Sequence, residues 1–140
     1  MTTVYFPLAL VNQILIQALD TANAEICGLV AGRDGHPTRC FPIDNIAAHP
    51  RQTFLLDPKQ QIDAMRLMRE QGETLFAIYH SHPDTPATPS AQDLKLAAYP
   101  ETLYLIVSLQ TTGTLQMRGY YFSQGAMTPV DVVIGNEISP

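Results

Sequence analysis

The run TLYLIVSL, Thr102 to Leu109, constrains the fold most. It is the most continuously apolar stretch of the chain, and a strand without polar alternation is one buried on both faces. It reads as a central strand of a sheet with a layer packed on each side. Helices supply that cover. Val11, Ile14, Leu15, Ala18 and Leu19 recur at helical spacing and predict an amphipathic helix over residues 7–21, with Pro7 in its first turn. DPKQQIDAMRLMREQG predicts a second helix, capped by Asp57, with Pro58 next, Gly72 past its end, and Ile62, Met65 and Met68 on its buried face. SAQDLKLAAYP predicts a short third helix ended by Pro100.

The remaining segments read as strands. EICGLVAG, Glu25 to Gly32, is a buried strand, GRDGH a turn, and TRCFPIDNIA a returning strand that Pro42 assigns to a sheet edge. QTFLLD, Gln52 to Asp57, is a short strand, and TLFAIYH another. TTG turns the chain into TLQMRGYYF, whose alternation is that of a half-buried strand, and PVDVVI adds one more. Strands and helices alternate, yet several neighbours are hairpin-like. The expected class is therefore α/β, with a mixed sheet flanked by helices in a single domain of 140 residues.

Composition narrows the function. Hydrophobic residues make up 46% and charged ones 15%, ordinary values for a chain able to bury a core. The formal net charge is −5 and no basic cluster is present, which argues against nucleic acid. No uninterrupted apolar run approaches membrane-spanning length; Asn12 and Gln13 break the most apolar N-terminal segment, which has no positive leader. The expectation is a cytoplasmic protein without a membrane partner. Cys27 and Cys40 form no CxxC pair and read as two reduced thiols packed as small hydrophobes.

One stretch carries chemistry: HSHPDTPATPSAQD, His80 to Asp93. His80 and His82 end a strand two residues apart, so both imidazoles point the same way. Pro83, Pro86 and Pro89 stiffen the loop that leads to Asp93, in the first turn of the next helix. Two imidazoles and a carboxylate make a zinc ligand set that leaves a fourth position for water. Ser90 is a candidate hydrogen-bond donor to a developing oxyanion, and Glu25, just before an apolar strand, is the candidate base. SAQD also fits a helix capping box, so Ser90 and Asp93 have a purely structural reading; the two readings are compatible, because a cap would fix both side chains.

Glu25, then His80-Ser-His82-Pro, then Ser90-x-x-Asp93, resembles the signature of the JAMM (MPN+) metalloproteases at every position and spacing. EICGLVAG and YLIVSL also look like strands of that family, so the resemblance covers roughly residues 5–125. It implies a cytidine-deaminase-like domain spanning residues 1–140. It implies one zinc ion on His80, His82 and Asp93, with Glu25 as general base and then acid and Ser90 stabilising the tetrahedral intermediate. Ser81 and Pro83 would be structural members of the motif. The implied reaction is hydrolysis after the C-terminal Gly-Gly of a ubiquitin-like protein. The compact chain resembles stand-alone bacterial members, for which the implied partner is a sulfur-carrier protein. Residues 45–56 or the loop 83–89 are expected to line the groove for its tail.

Two other classes compete. A non-catalytic module that only holds a ubiquitin-like partner would have little use for a complete ligand set. A non-haem iron oxygenase shares the ligand types but not their order, and leaves Glu25 and Ser90 without roles. A zinc nucleobase deaminase is disfavoured because no Pro-Cys-x-x-Cys follows the histidines. His36 and His49 read as surface residues, Tyr79, Tyr120 and Tyr121 as packing on the sheet, and the oligomeric state is not legible.

Overall fold

In the computed structural model, which describes residues 2–97, 99, 101–110 and 116–135, the elements follow in chain order. They are β1 (Thr3–Phe6), α1 (Leu8–Asp20), β2 (Cys27–Arg33), β3 (His36–Ile43), α2 (Pro58–Glu70), β4 (Thr74–His82), α3 (Ala91–Leu96), β5 (Leu103–Ser108), β6 (Gln116–Ser123) and β7 (Ala126–Ile134). The strands form one sheet in the order β1-β7-β6-β5-β4-β2-β3. Only β1–β7 and β4–β5 pair parallel, so the sheet is mixed, as the sequence predicts. All six residues of β5 are buried, and it lies at the middle of the sheet.

Each face of the sheet has its own apolar cover. On one, Leu10, Val11, Ile14 and Ala18 of α1 pack with Phe6, Val30, Ala77, Tyr79, Leu105 and Val107. On the other, Ala64 and Met68 of α2 pack with Leu29, Ile43, Ile78 and Tyr104. Alternation along β4 assigns Ala77 and Tyr79 to the α1 side and Ile78 to the α2 side, so His80 and His82 continue the α2 side.

Several sequence expectations hold in detail. Asp57 caps α2 by accepting from the backbone N–H groups of Lys59 and Gln60. Gly72 adopts a φ of 71° just past the end of the helix, a conformation glycine reaches without a Cβ clash. The β2–β3 turn contains Asp34 and Gly35 at positive φ, and β3, which carries Pro37 and Pro42, is an edge strand.

Other expectations are corrected. Residues 52–57 form no strand; their one ladder contact is an isolated bridge between Asn45 and Leu56. The side chain of Asn45 takes the backbone groups a neighbouring strand would have taken, donating to Thr53 O and accepting from Leu55 N. Ile62 is 68% exposed, because the buried stripe of α2 runs through Ala64 and Met68. Leu19 is likewise exposed, although Val11, Ile14 and Ala18 are buried as the stripe predicts. The strand expected from Glu25 begins at Cys27, and helix α1 begins after Pro7, which is its N-cap. Helix α3 ends at Leu96 because Ala97 turns extended, well before Pro100, which lies outside the described residues. The TTG turn also lies outside them. Strand β1 has no counterpart in the sequence reading: four residues are too few to show a period.

Candidate metal centre

His80 and His82 are the last inward-facing pair of β4. His80 is paired on both sides, with Cys27 of β2 and Ile106 of β5, and His82 on one, with Ser108 of β5. Ser81 points away from them and ties in the next segment. Its N–H donates to Ile26 O at 3.0 Å, and its hydroxyl accepts from Ile26 N at 2.9 Å. That double link brings Glu25 beside the histidines. Glu25 N donates to Pro50 O, and Asn45 Nδ2 donates to Glu25 O, so the glutamate backbone is held at both ends.

The proline loop is equally constrained. Ser108 Oγ donates to Thr85 O, and Tyr120 OH donates to Ala87 O at 2.9 Å. Ala87 N donates to Gln116 Oε1, and Ala87 is fully buried. The loop delivers the chain to the capping box. Ser90 Oγ accepts from Asp93 N at 3.0 Å, while Asp93 Oδ2 accepts from Ser90 N at 2.9 Å. The cap uses a lone pair of the serine hydroxyl, not its hydrogen, so that hydroxyl still has a proton to donate.

Four of the five site residues predicted from sequence are buried, and the fifth, Ser90, lies at the rim in the capping box. His80 Nε2 and His82 Nε2 are 3.2 Å apart. Asp93 Oδ1 is 3.2 Å from the first and Oδ2 is 3.1 Å from the second. His82 Nδ1 lies 2.8 Å from Pro86 O. A carbonyl only accepts, so Nδ1 carries the hydrogen and Nε2 of the neutral ring offers its lone pair. Two imidazole nitrogens and a carboxylate thus converge at distances that repel unless a cation or a proton lies among them. Bonds of about 2.0–2.1 Å at tetrahedral angles place neighbouring ligand atoms about 3.3 Å apart; the His80–His82 edge of 3.2 Å matches, and Asp93 offers one oxygen to each imidazole. The residues fit a metal ion.

Glu25 is the second carboxylate of the site. It lies with His80 and His82 in a group whose ligand atoms are all within 4.8 Å of one another. Its Oε1 is buried without a hydrogen-bond partner among the described residues. Burial, reinforced by the charge of Asp93 and opposed by His82, pushes its carboxyl up to about 7. Burial acts the same way on Asp93, but the imidazoles of His80 and His82, which donate to it when protonated, and the N–H of Ser90 outweigh burial and hold that group well below the usual carboxylate range. Burial lowers His80. It acts in the same direction on His82, where Asp93 and the Pro86 carbonyl override it and raise the imidazole.

Several contributors escaped sequence reading. Phe54 stacks on His80 with ring centroids 4.4 Å apart. Asn45, Ser108, Gln116 and Tyr120 hold the surrounding loops. All lie far from the motif in sequence, and no spacing rule connects them to it. His36 and His49 are exposed, and Cys27 is buried with its thiol on Ile43 O, as expected.

A mixed sheet with two histidines, an aspartate and a free-standing buried glutamate at one strand end defines a metal-hydrolase-like site. The chain belongs to the family of prokaryotic homologs of the JAB domain, whose family model matches residues 7–119. This agrees with the resemblance read from the motif. A CysO-cysteine peptidase of Mycobacterium tuberculosis is 37% identical over 128 residues, 89% of this chain and 87% of the relative. A desampylase of Haloferax volcanii is 37% identical over 87 residues, 61% of this chain and 63% of the relative. The solution structure of a protein from Desulfitobacterium hafniense superposes with a TM-score of 0.84 at 31% identity, covering 99% of this chain and 95% of that one.

Proposed function

We propose that this chain is a zinc-dependent peptidase or isopeptidase that cuts after the C-terminal Gly-Gly of a ubiquitin-like, sulfur-carrier-type protein. The observation that carries the reading is the convergence of His80, His82 and Asp93 at 3.1–3.2 Å beside a Glu25 oxygen that has no hydrogen-bond partner among the described residues. His80, His82 and Asp93 hold the zinc ion in this reading. When bound there, zinc lowers the pKa of a water and polarises a carbonyl oxygen. Glu25 takes the proton of that water and hands it to the departing amine nitrogen. The Ser90 hydroxyl donates to the oxygen that gains negative charge as the carbonyl carbon becomes tetrahedral. Phe54 covers His80 and limits water on that side.

The substrate tail has a matching surface. A cleft of about 200 Å³ is lined by Phe54, Leu55, Leu56, Gln61, Ile78, Tyr99 and Tyr104. A small cavity that shares Phe54 and Tyr104 with it is also lined by His80 and Asp93. A narrow Gly-Gly tail lying extended along residues 52–56 fits that path by strand addition. The names of the relatives, peptidase and desampylase, support hydrolysis. The same proposal takes residues 1–140 as one domain acting in the cytoplasm, where the thiols of Cys27 and Cys40 stay unpaired.

The deciding experiment incubates zinc-loaded protein with carrier proteins bearing extensions beyond Gly-Gly and reads the products by mass. Cleavage after the second glycine is the expected result. Carriers that bind but stay intact would refute hydrolysis and support a binding module instead.

A further inference from the structure

The two sides of the metal centre differ in chemistry. On one side the walls are apolar, with Phe54, Ala97, Tyr104 and Met127 beside His80 and Asp93. On the other, a cleft of about 310 Å³ is lined by Glu25, Arg51, Gln52, His82, Asp84 and Ser90, among others. Arg51 is the one Lys or Arg among the described residues that line these clefts. It stands there in a chain with eight Lys and Arg and a net charge of −5.

The direction of proton transfer assigns the sides. The group that protonates the departing nitrogen must reach it, so the leaving group occupies the cleft that contains Glu25. Arg51 is fixed relative to that glutamate. Glu25 N donates to Pro50 O at 2.7 Å, and Gln52 N and Thr53 N both donate to His49 O. Asn45 Nδ2 bridges Glu25 O and Thr53 O at 2.9 and 3.0 Å. The turn carrying Arg51 is thus bonded on both flanks to the Glu25 backbone. Asp84, across the cleft, accepts from Arg51 Nε at 2.8 Å and Nη2 at 3.3 Å. That pair orients the guanidinium and leaves the Nη1 hydrogens uncommitted among the described residues.

We propose that Arg51 binds the α-carboxylate of the leaving residue, so that the enzyme selects substrates in which a single C-terminal amino acid follows Gly-Gly. The inference rests on the hydrolase reading above. The carboxylate of such a residue lies next but one to the amine nitrogen, so its counter-ion must share the cleft of the proton donor, as Arg51 shares that of Glu25. An isopeptide leaving through a lysine side chain presents no such anion there. The water oxygen bonds to the glycine carbonyl carbon, the carbon–nitrogen bond breaks, and a water proton passes through Glu25 to nitrogen. A glycine carboxylate and a free amino acid result; Arg51 exchanges no proton and acts on specificity alone.

The test uses the zinc-loaded full chain and a ubiquitin-fold carrier ending in Gly-Gly-Ala, prepared as the free acid and as the carboxamide. A charge-assisted hydrogen bond of ordinary strength predicts a kcat/KM preference for the acid of about tenfold or more. Arg51→Ala removes that preference chiefly through KM on the acid and leaves the amide within about twofold, while Arg51→Lys recovers part of it. Equal cleavage of the two probes by the wild type, or an equal loss on both in Arg51→Ala, overturns the inference alone. Cleavage of neither probe overturns the hydrolase reading and the inference with it. A measurement without turnover stands beside this: Glu25→Gln protein must bind the intact acid more tightly than the amide, and equal affinities would also overturn the inference.

Discussion

Glu25 and Asp93 are both buried carboxylates near the same two imidazoles, yet their surroundings give them opposite character. Asp93 lies against two imidazole nitrogens, accepts from Ser90 N and stays charged, which suits a metal ligand. Glu25 keeps one oxygen without a donor and holds its proton up to about 7, which suits a group that must take and release one. Glu25→Gln should therefore leave metal content unchanged and lower kcat/KM by roughly 10²–10⁴-fold, whereas Asp93→Ala should lose the metal as well. Metal analysis after gel filtration, alongside the cleavage assay, separates the two. The pH dependence has a definite sign. A base acts as its carboxylate, so activity falls as pH drops through the Glu25 value. A bound dication moves that acid limb below about 7, not above it. That His80, His82 and Asp93 would converge was legible in HSHPDTPATPSAQD, and so was the cap. Phe54 and Asn45 were not, because their contacts depend on how residues 45–56 cross the end of the sheet.

At the scale of elements, the loop between β4 and α3 acts as a strut. Tyr120 on β6 holds its middle through Ala87 O. Tyr120→Phe strips that buried carbonyl of its donor and should cost about 1–3 kcal/mol in denaturant unfolding. It should also weaken metal binding, since Pro86 next door orients His82. A second tie joins the start of β4 to the edge strand β3. Glu73 accepts from the Thr38 hydroxyl and from Arg39 Nε, and the Thr38 bond is the largest contribution lowering its carboxyl below the usual value. A depressed folded-state value contributes stability above the unfolded-state pKa and loses it as pH falls through the folded one. Wild-type protein should therefore lose stability on acidification below about pH 4.5, and Glu73→Gln should lose less across that window. Equal acid slopes in the two proteins would refute the assignment. The helix ends near these ties were readable from Asp57, Pro58 and Gly72, because caps are local. The absence of strand pairing along residues 52–57 was not, because the Asn45 side chain, from outside the segment, takes the hydrogen bonds of Thr53 O and Leu55 N.

Across the whole molecule, the two apolar layers must pass one another without a gap at β2. Gly28 lies opposite Tyr79, whose ring crosses it to reach Gln17 on α1, with Tyr79 OH donating at 2.6 Å. A Cβ at Gly28 would overlap the Tyr79 ring and come within 2.6 Å of Phe41 O. Gly28→Ala should destabilise the protein by about 1–3 kcal/mol through overpacking, checked by the denaturation midpoint at constant m-value. Sequence alone determined the central strand, the two main covering helices, the edge strand and the set of residues, Glu25, His80, His82, Ser90 and Asp93, that meet near the end of β4. These follow from local period, capping chemistry and fixed spacing. Tertiary structure alone decided the parallel pairing of β1 with β7, the exposure of Ile62, and the side of the centre on which Arg51 stands. Each of these depends on which distant segments share the sheet and its end, and a pattern within one segment holds no record of its neighbours.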